Sequence, residues 1–459
     1  VAFLVGSYDG SGNYGDIAQL DGALGMLGKL EGGLPVLPVL ERQYAATHET
    51  LRSDFLHEPE HALYFDDGGS FDDDLVPLPP AQHGFALSYL YGGGFLNPSW
   101  GERKLAMLRT VEEVAQGAGA VTRIASGQQV DAGWISQLDR ADARLLASFE
   151  ILGARDAASA EVLEQLAGPG VAINSGDDAV GILGEVATRR SGRPSGEALE
   201  INVHIADHPW VTDRPDSVRD FVVGLLAALS RLAGRPLRVR PLLAYLDPRV
   251  DERPGLERFA AACAERGIEV GEPLVARPAT APEAAAELGG AALTISCSYH
   301  VALTSLLLAV PTVILRDNPY YDQKAKGLLS DFALPEPFSP SSGDDPERCA
   351  AAIAGVLPER GAEAERERLR DAASEVRQRR ADAEAALLAR VARGSIAAAA
   401  ADPPSPPPAA AQPDPAEQRA EEAERREAEA RAELDALLTS RSWKITAPLR
   451  RLAAARRSR

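Results

Sequence analysis

The feature that most constrains the fold of this chain is a repeated succession of strand-like run, glycine loop and helical pattern. The apolar run at residues 1–5 leads through a glycine loop into a helical pattern over 17–30. The run at 87–91 ends in Gly92-Gly93-Gly94 and precedes a helical pattern over 102–116. Strands that alternate with helices in this way predict parallel βαβ units, so we expect an α/β fold.

A second α/β series indicates two domains of similar size. Residues 189–196 have the composition of a linker and a new strand-like run begins at Leu199, so we predict an N-terminal domain over 1–195 and a C-terminal domain over 196–345. Ligands of such sheets bind outside the carboxyl ends of the strands, which places the expected site in a cleft between the domains. The rest of the chain is predicted to comprise a helical extension, a proline-rich linker, a charged helix and a basic tail, at residues 346–400, 401–415, 416–439 and 440–459.

Charge and composition exclude several classes of protein. The first 439 of the 459 residues hold 41 basic and 67 acidic side chains, a net charge of −26, and a body this acidic repels nucleic acid. The chain has no run of eighteen apolar residues, which is the length that a membrane-spanning helix requires. Its first ten residues lack the features of a signal peptide. The three cysteines are far apart in sequence and are expected to be reduced thiols. We therefore expect a cytoplasmic protein that does not bind nucleic acid.

Two glycine loops are candidate ligand loops. The first, Gly10 to Asp16, joins a strand to a helix, where backbone amides and the helix N-terminus favour an oxygen-rich, negatively charged ligand. A capping turn, in which Asn13 and Asp16 satisfy the free amides of the helix, explains the same residues equally well. The second loop, residues 92–94, has three glycines after a buried strand, and a close approach of the backbone to a ligand or to the other domain explains them.

His300 is the candidate catalytic residue that follows from position alone. A strand predicted over 292–297 ends in a polar turn, and a helix begins at His300, so we expect its side chain to face the cleft. A bound anion at this helix N-terminus would support the protonated imidazole that a general acid requires. The sequence therefore predicts a general acid at this position.

Six short segments stand out in order along the chain. They are Asn13-Tyr14-Gly15-Asp16, Gly92-Gly93-Gly94, Arg155-Asp156 with Ser159, Gly176-Asp177-Asp178-Ala179, Ser296 to His300 with Val310-Pro311, and Tyr321 to Lys324. Together they resemble the polysaccharide pyruvyl transferase family, and the resemblance covers about residues 1–340. It implies a glycosyltransferase-B-like architecture of two Rossmann-like domains, to which this chain adds the predicted helical and coiled-coil extension. It also implies transfer of the enolpyruvyl carbon skeleton of phosphoenolpyruvate onto sugar hydroxyls as a ketal, in the biosynthesis of cell-surface polysaccharide.

One position departs from the pattern that the family usually shows. The family pattern is Ser-x-Arg-x-His, in which the Arg and His are thought to hold phosphoenolpyruvate, and this chain has Ser298 in place of that Arg. A phosphate and a carboxylate call for cationic partners. We therefore expect that another cation compensates, that the donor differs, or that the site has lost activity. The candidate compensating residues are Arg155, Arg123, Lys324 and Arg316, and His204 stands where many relatives carry a basic residue.

The resemblance assigns roles to these residues. His300 is expected to be the catalytic acid or a phosphate ligand, Arg155 and Lys324 the anion partners, and Asn13, Asp16 and the glycine loops the acceptor side. The full set expected to bind substrate is Gly12, Asn13, Gly15, Asp16, Gly93, Gly94, Arg155, Ser298, Tyr321 and Lys324.

No cofactor is expected, because phosphoenolpyruvate acts as a co-substrate. No metal is expected either, because the seven histidines show no i,i+4 or HExxH pairing and the acidic run 72–74 has the character of a solvated loop. Two other functions fit the same sequence. One is a glycosyltransferase of the same fold with a nucleotide-sugar donor, and the other is a non-catalytic glycan-binding scaffold with a degenerate site.

The charged helix predicted over 416–438 has a heptad seam. Six of its seven a/d positions are apolar, but four of them are alanine, so a weak coiled coil that forms a homo-oligomer and a single surface helix explain the seam equally well.

The basic tail predicts attachment to an anionic membrane. Its twenty residues include seven Lys or Arg, no Asp or Glu, and the apolar side chains Trp443, Ile445 and Leu449. Each basic residue near anionic lipid contributes about 1 kcal/mol to the free energy of membrane binding. We expect the full chain to co-sediment with anionic vesicles in a salt-sensitive way, and a chain truncated after Thr439 to lose this binding but keep its catalytic activity. Attachment would be peripheral, at the inner face of the membrane. Equal sedimentation of both chains would instead indicate a tail that is disordered or docked on its own acidic body.

Overall fold

The computed structural model describes residues 1–30, 33–66, 85–116, 120–189, 198–206, 214–245, 251–275, 288–357 and 362–400. Residues 1–402 form one compact unit. The acidic run 72–74, the proline-rich linker, the charged helix and the basic tail lie outside the described residues, so the predictions for them stay predictions. Within the described ranges, no helix combines the length and the apolar character that crossing a bilayer would require.

The N-terminal domain is built on a parallel sheet. Its described strands lie in the order β3-β2-β1-β4-β5-β6-β7, and β1 pairs with β4 in a register that runs from Ala2 opposite Leu87 to Gly6 opposite Tyr91. Both central strands are apolar and buried along their whole length, as expected of parallel strands covered on both faces. The strands are β1 (Ala2–Gly6), β2 (Val36–Glu41), β3 (Leu63–Phe65), β4 (Phe85–Tyr91), β5 (Ala120–Gln128), β6 (Ile151–Ala154) and β7 (Ala172–Asn174).

The C-terminal domain repeats the same arrangement in a smaller parallel sheet. Its described strands lie in the order β10-β9-β8-β12-β13, and β11 also pairs with β9. In both sheets the chain starts at the centre, proceeds to one edge and returns to the other side of the first strand, which is the Rossmann-like order. The prediction of two Rossmann-like α/β domains is therefore confirmed. The strands are β8 (Leu199–His204), β9 (Leu237–Leu243), β10 (Glu269–Val270), β11 (Leu274–Val275), β12 (Leu293–Ser296) and β13 (Thr312–Ile314).

Several of the helices in the described residues begin at a side-chain cap. The first helix begins at Tyr14, three residues before the predicted start, because the side chain of Asn13 accepts a hydrogen bond from the amide of Gly15. The helices in the described residues are α1 (Tyr14–Leu27), α2 (Ala45–Leu51), α3 (Gly101–Gln116), α4 (Ala132–Ile135), α5 (Arg140–Ala147), α6 (Ala157–Ala167), α7 (Ala179–Arg189), α8 (Pro215–Ala233), α9 (Arg253–Glu265), α10 (Tyr299–Leu307), α11 (Pro319–Asp331), α12 (Pro346–Ile353) and α13 (Ala362–Ala400).

The long helix α13 packs into the cores of both domains. Leu369 and Val376, near its start, are buried among apolar residues of the C-terminal sheet and its helices. Leu387 and Val391, about three to four turns beyond Val376, are buried among residues of β1 and β4 in the N-terminal domain. The helical extension predicted from the sequence is therefore an integral part of both domains.

Candidate functional site

A cavity of about 320 Å³ lies where the carboxyl ends of both sheets meet. Loops that follow β1 and β4 form one wall, and the ends of β8, β9 and β12 form the other. These are the points at which the strand order reverses in each sheet, where ligands of α/β folds bind. Of the residues expected to bind substrate or act in catalysis, those that line the cavity are Asn13, Asp16, Gly94, Ser298, His300, Tyr321 and Lys324.

The remaining members of that set do not line the cavity. Gly12 is buried between the lining residues Ser11 and Asn13. Gly15 lies against His300, where a Cβ on Gly15 would come within 1.8 Å of the imidazole Nδ1. Glycine is therefore required at this position by the packing of His300. Gly93 has a φ of 92°, which favours glycine, and a Cβ on it would approach Ser7 and Phe95.

His300 lies in the first turn of α10 and packs against the buried charged residues Asp177 and Arg155. Its exposed fraction is 8%, and its Nε2 lies 3.6 Å from Oδ2 of Asp177. Burial opposes the ionisation of Asp177, but His300, Arg155 and the amide of Ala179 outweigh it and lower the pKa of that carboxyl to about 2. Burial also lowers the pKa of His300, although Asp177 acts against this effect. The imidazole thus has a fixed anionic neighbour on the side away from solvent.

Arg155 belongs to this supporting layer. It is 2% exposed, and its Nη1 lies 3.6 Å from Oδ2 of Asp177. Its guanidinium carbon lies 4.0 Å from the ring centroid of Tyr299, and it donates a hydrogen bond to Oε1 of Gln129. The guanidinium is therefore paired within the protein and does not reach the cavity lining in this structure.

Lys324 projects into the cavity from α11. Its Nζ lies 4.0 Å from the ring centroid of Tyr320 and 5.0 Å from that of Tyr321. Burial lowers the pKa of Lys324 to about 7, Arg155 acts in the same direction, and Asp16 acts against it. Burial and Asp9 raise the pKa of Asp16 to about 7, while Lys324 and Lys104 oppose this rise. Burial thus disfavours the charged form of both groups, and each of the two opposes this effect in the other.

Ser298 lines the cavity and also caps α10. Its hydroxyl accepts a hydrogen bond from the amide of Val301 at 3.4 Å. Of the four cations expected to compensate for the missing arginine, only Lys324 lines the cavity. Arg123 is paired with Glu112 at 2.6 Å, and Arg316 is paired with Asp322 at 3.1 Å. These two guanidinium groups already have carboxylate partners elsewhere.

A histidine and a glutamate form a buried pair on the wall opposite α1. Nε2 of His204 lies 3.0 Å from Oε1 of Glu252, and the two side chains are 2% and 4% exposed. Oε2 of Glu252 accepts hydrogen bonds from the amides of Ala244 and Tyr245 at 2.8 and 3.0 Å. Burial opposes the ionisation of Glu252, but His204 and these amides outweigh it and lower its pKa. Nδ1 of His204 has no hydrogen-bond partner among the described residues, and His204 lines the cavity.

Several lining residues could not be identified from the sequence. Glu252 was not singled out, because its pairing with His204 spans 48 residues and depends on the loop after β9. Trp100, Arg103 and Lys104 lie just before and within the first turn of α3. The placement of Arg103 and Lys104 in the first turn of this helix is the one available signal. The helix dipole disfavours cations at that end, so a further interaction is needed to explain them. Nothing in the sequence pattern marked Tyr245 or Glu41, which also line the cavity.

The described residues contain no group of three histidine, cysteine or acidic side chains placed to hold a metal ion.

Comparisons with known proteins give a family and two remote structural likenesses. A family model described as polysaccharide pyruvyl transferase matches residues 13–319, and no curated protein sequence matches the chain. UDP-GlcNAc 2-epimerase from Neisseria meningitidis, solved with UDP-GlcNAc, has a TM-score of 0.49 at 10% identity over 85% of this chain and 99% of that chain. A mutant O-GlcNAc transferase from Thermobaculum terrenum has a TM-score of 0.41 at 14% identity over 87% of this chain and 69% of that chain. Both identities are too low to carry a function over.

Proposed function

Because the chain belongs to the polysaccharide pyruvyl transferase family, whose model covers residues 13–319, we propose that it transfers a pyruvyl group from phosphoenolpyruvate to a sugar as a ketal. The acceptor would be a precursor of cell-surface polysaccharide. The observation that carries the proposal is the cavity at the carboxyl ends of both sheets, which brings His300, Lys324 and the His204–Glu252 pair to one enclosed space. Such a cavity supplies both acid–base groups and a cation for an anionic donor.

The reaction needs one proton donor and one proton acceptor in each cycle. An acid protonates the methylene carbon of phosphoenolpyruvate as a sugar hydroxyl attacks the adjacent carbon and loses its proton to a base. A second hydroxyl of the same sugar then attacks that carbon, phosphate leaves, and the remaining proton goes to the phosphate or to the depleted acid. The products are the cyclic ketal and inorganic phosphate.

His300 is the proposed acid. The carboxylate of Asp177 attracts the Nε2 side of the imidazole electrostatically. A dianionic donor in the cavity would raise the pKa of the imidazole and favour its protonated form. His204 is the proposed base, because Glu252 accepts a hydrogen bond from its Nε2 and leaves the lone pair on Nδ1 for an acceptor hydroxyl. Carboxylate support of this kind fixes the tautomer of a catalytic histidine.

Identification of the donor substrate distinguishes this proposal from its alternatives. Purified protein is incubated with phosphoenolpyruvate or with nucleotide sugars, in each case with a panel of sugar acceptors, and the products are analysed by mass spectrometry. Release of inorganic phosphate together with a pyruvylated sugar is the expected result. Release of a nucleoside diphosphate with a glycosylated acceptor would identify a glycosyltransferase. Absence of turnover, together with absence of thermal stabilisation by any small anion, would indicate a non-catalytic glycan-binding scaffold.

The substitution Ser298→Arg is expected to tighten the binding of phosphoenolpyruvate. An arginine at this position of the cavity lining adds a charge-assisted hydrogen bond of about 1.5–3 kcal/mol, which corresponds to a roughly ten- to hundred-fold lower Kd by calorimetry. Ser298 also caps α10, so the substitution costs about 1 kcal/mol of stability.

Ser298→Ala is the matched control, because it removes the cap without adding a charge. It is expected to show the stability loss and an unchanged Kd. Weaker binding in the arginine variant than in the alanine variant would mean that the cavity is shaped for a different donor.

A further inference from the structure

Lys104 is a buried cation at the cavity wall. It lies in the first turn of α3, lines the cavity and is 5% exposed. Its Nζ makes no hydrogen bond within the part of the chain that the structure describes. An ammonium group removed from water without a compensating anion destabilises a protein, and the N-terminal end of a helix repels it further. Retention of a lysine at this place is explained if a ligand supplies the missing negative charge.

The acidic residues nearby do not fill that role. Asp16 is close enough to Lys104 for the ammonium charge to lower its pKa, but the pKa of Asp16 is nevertheless raised to about 7 by burial and by Asp9. Asp16 also faces the ammonium group of Lys324, so one carboxylate is shared by two lysines. Among the described residues, no carboxylate lies within hydrogen-bond distance of the Lys104 ammonium group. The neighbouring Arg103, in contrast, has its guanidinium 4.8 Å from the ring centroid of Phe65 and 3.8 Å from Glu41.

Lys324 reaches the same cavity from the other domain. Its described contacts are with the faces of Tyr320 and Tyr321, which leaves its ammonium group available to an anion. Position 298, where an arginine would be expected, carries a serine whose hydroxyl accepts a backbone hydrogen bond. The cations available to a ligand therefore lie on α3 and α11, away from the start of α10.

We propose that Lys104 and Lys324 together form an anion subsite that takes the phosphate or the carboxylate of the donor in place of the missing arginine. This inference rests on the proposed function for the identity of the donor, but the subsite itself requires only an anion of the phosphate or carboxylate class. One lysine comes from each domain, so a bound anion would link α3 to α11 through two charge-assisted hydrogen bonds. Specificity for the donor would then depend on residues of the N-terminal domain as well as on α10.

Lys104→Met tests the subsite with inorganic phosphate and phosphoenolpyruvate as probes. Methionine keeps the length and apolar stem of the side chain and removes the charge. We expect the Kd for both anions, measured by calorimetry, to rise roughly ten- to hundred-fold. In buffer without multivalent anions, the Tm of the variant should equal or exceed that of the unsubstituted protein, because an unpaired buried charge has been removed. This combination of weaker binding and undiminished stability is not expected from a purely structural lysine.

Two further variants keep the test decisive. Lys326→Met removes a lysine from α11 that is exposed and paired with Asp322, and it should leave both dissociation constants unchanged. Lys104→Arg keeps the charge, so it should retain most of the affinity. Lys104→Gln removes the charge but keeps a polar side chain, and it serves in place of the methionine variant if that variant does not fold.

The outcomes separate the subsite from the proposed reaction. If inorganic phosphate binds in a Lys104-dependent way but phosphoenolpyruvate is not turned over, the subsite stands and the assignment of the donor fails. Unchanged Kd values for both anions in Lys104→Met overturn the subsite, even if pyruvyl transfer is found. Absence of phosphate and phosphoenolpyruvate binding to the unsubstituted protein overturns it as well.

Discussion

Replacement of His300 by alanine is expected to lower the rate of pyruvyl transfer by about 10²- to 10⁴-fold, the usual loss when a positioned acid is removed. The fold should survive, because Asp177 keeps hydrogen bonds from Gln19 and Ala179 and its contact with Arg155. The rate is measured from phosphate release with a sugar acceptor, and cooperative unfolding in urea checks the fold.

Two control variants sharpen this prediction. His61→Ala removes a histidine that is exposed and outside the cavity lining, and it should leave the rate unchanged. Gly15→Ala leaves His300 in place but adds a Cβ where the imidazole lies, so the ring must move and the rate should fall without any loss of a functional group. Near-normal turnover in His300→Ala would remove this residue from the mechanism.

The second large effect is expected on stability, from Arg380→Met. Arg380 is 2% exposed, and its Nη1 lies 2.5 Å from Oδ1 of Asp178, which is fully buried. Asp178 also accepts hydrogen bonds from the amide of Gly92 at 2.5 Å and from Oγ of Ser126 at 2.6 Å. Loss of the guanidinium leaves the buried carboxylate without its counter-charge, which destabilises a protein by about 3–5 kcal/mol in the free energy of unfolding. Urea denaturation followed by circular dichroism measures this change.

Glu384 extends this ion network and provides a matched control, because its Oε1 lies 3.1 Å from Nε of Arg380. Lys29 pairs with Glu384 at 2.6 Å at the edge of the network, where its side chain is 56% exposed. Lys29→Met should therefore cost less than about 1 kcal/mol. Asp178→Asn combined with Arg380→Met should be less destabilised than Arg380→Met alone, because the unpaired charge is then absent. Equal effects of Arg380→Met and Lys29→Met would contradict the assignment of a buried pair.

Most of the fold could be predicted because its signals are local. The strand-like runs at residues 1–5 and 87–91 correspond to β1 and β4, and the glycine loops follow the ends of these strands as expected. His300 could be placed at the cleft because the end of a parallel strand and the start of the next helix fix its location along the chain. Hydrophobic period and turn residues were sufficient for these features.

Pairings between distant segments could not be predicted in the same way. The role expected for Arg155 rested on the family resemblance and on its charge, whereas its contacts with Asp177 and Tyr299 depend on how three separate segments pack. The prediction that it binds an anion stays a prediction. Lys104 was missed for the same reason, because its lack of a partner is visible only when all of its neighbours are known.

The path of α13 has a consequence for how the chain folds during its synthesis. The N-terminal domain lacks part of its core until Leu387 and Val391 have left the ribosome, nearly 200 residues after its predicted end at 195. Translation adds about 5–20 residues per second, so apolar side chains of the first sheet remain uncovered for roughly 10–40 s before that helix is available. The nascent N-terminal half is therefore exposed to aggregation and to chaperone capture for about two fifths of translation, and the two domains mature together rather than in sequence.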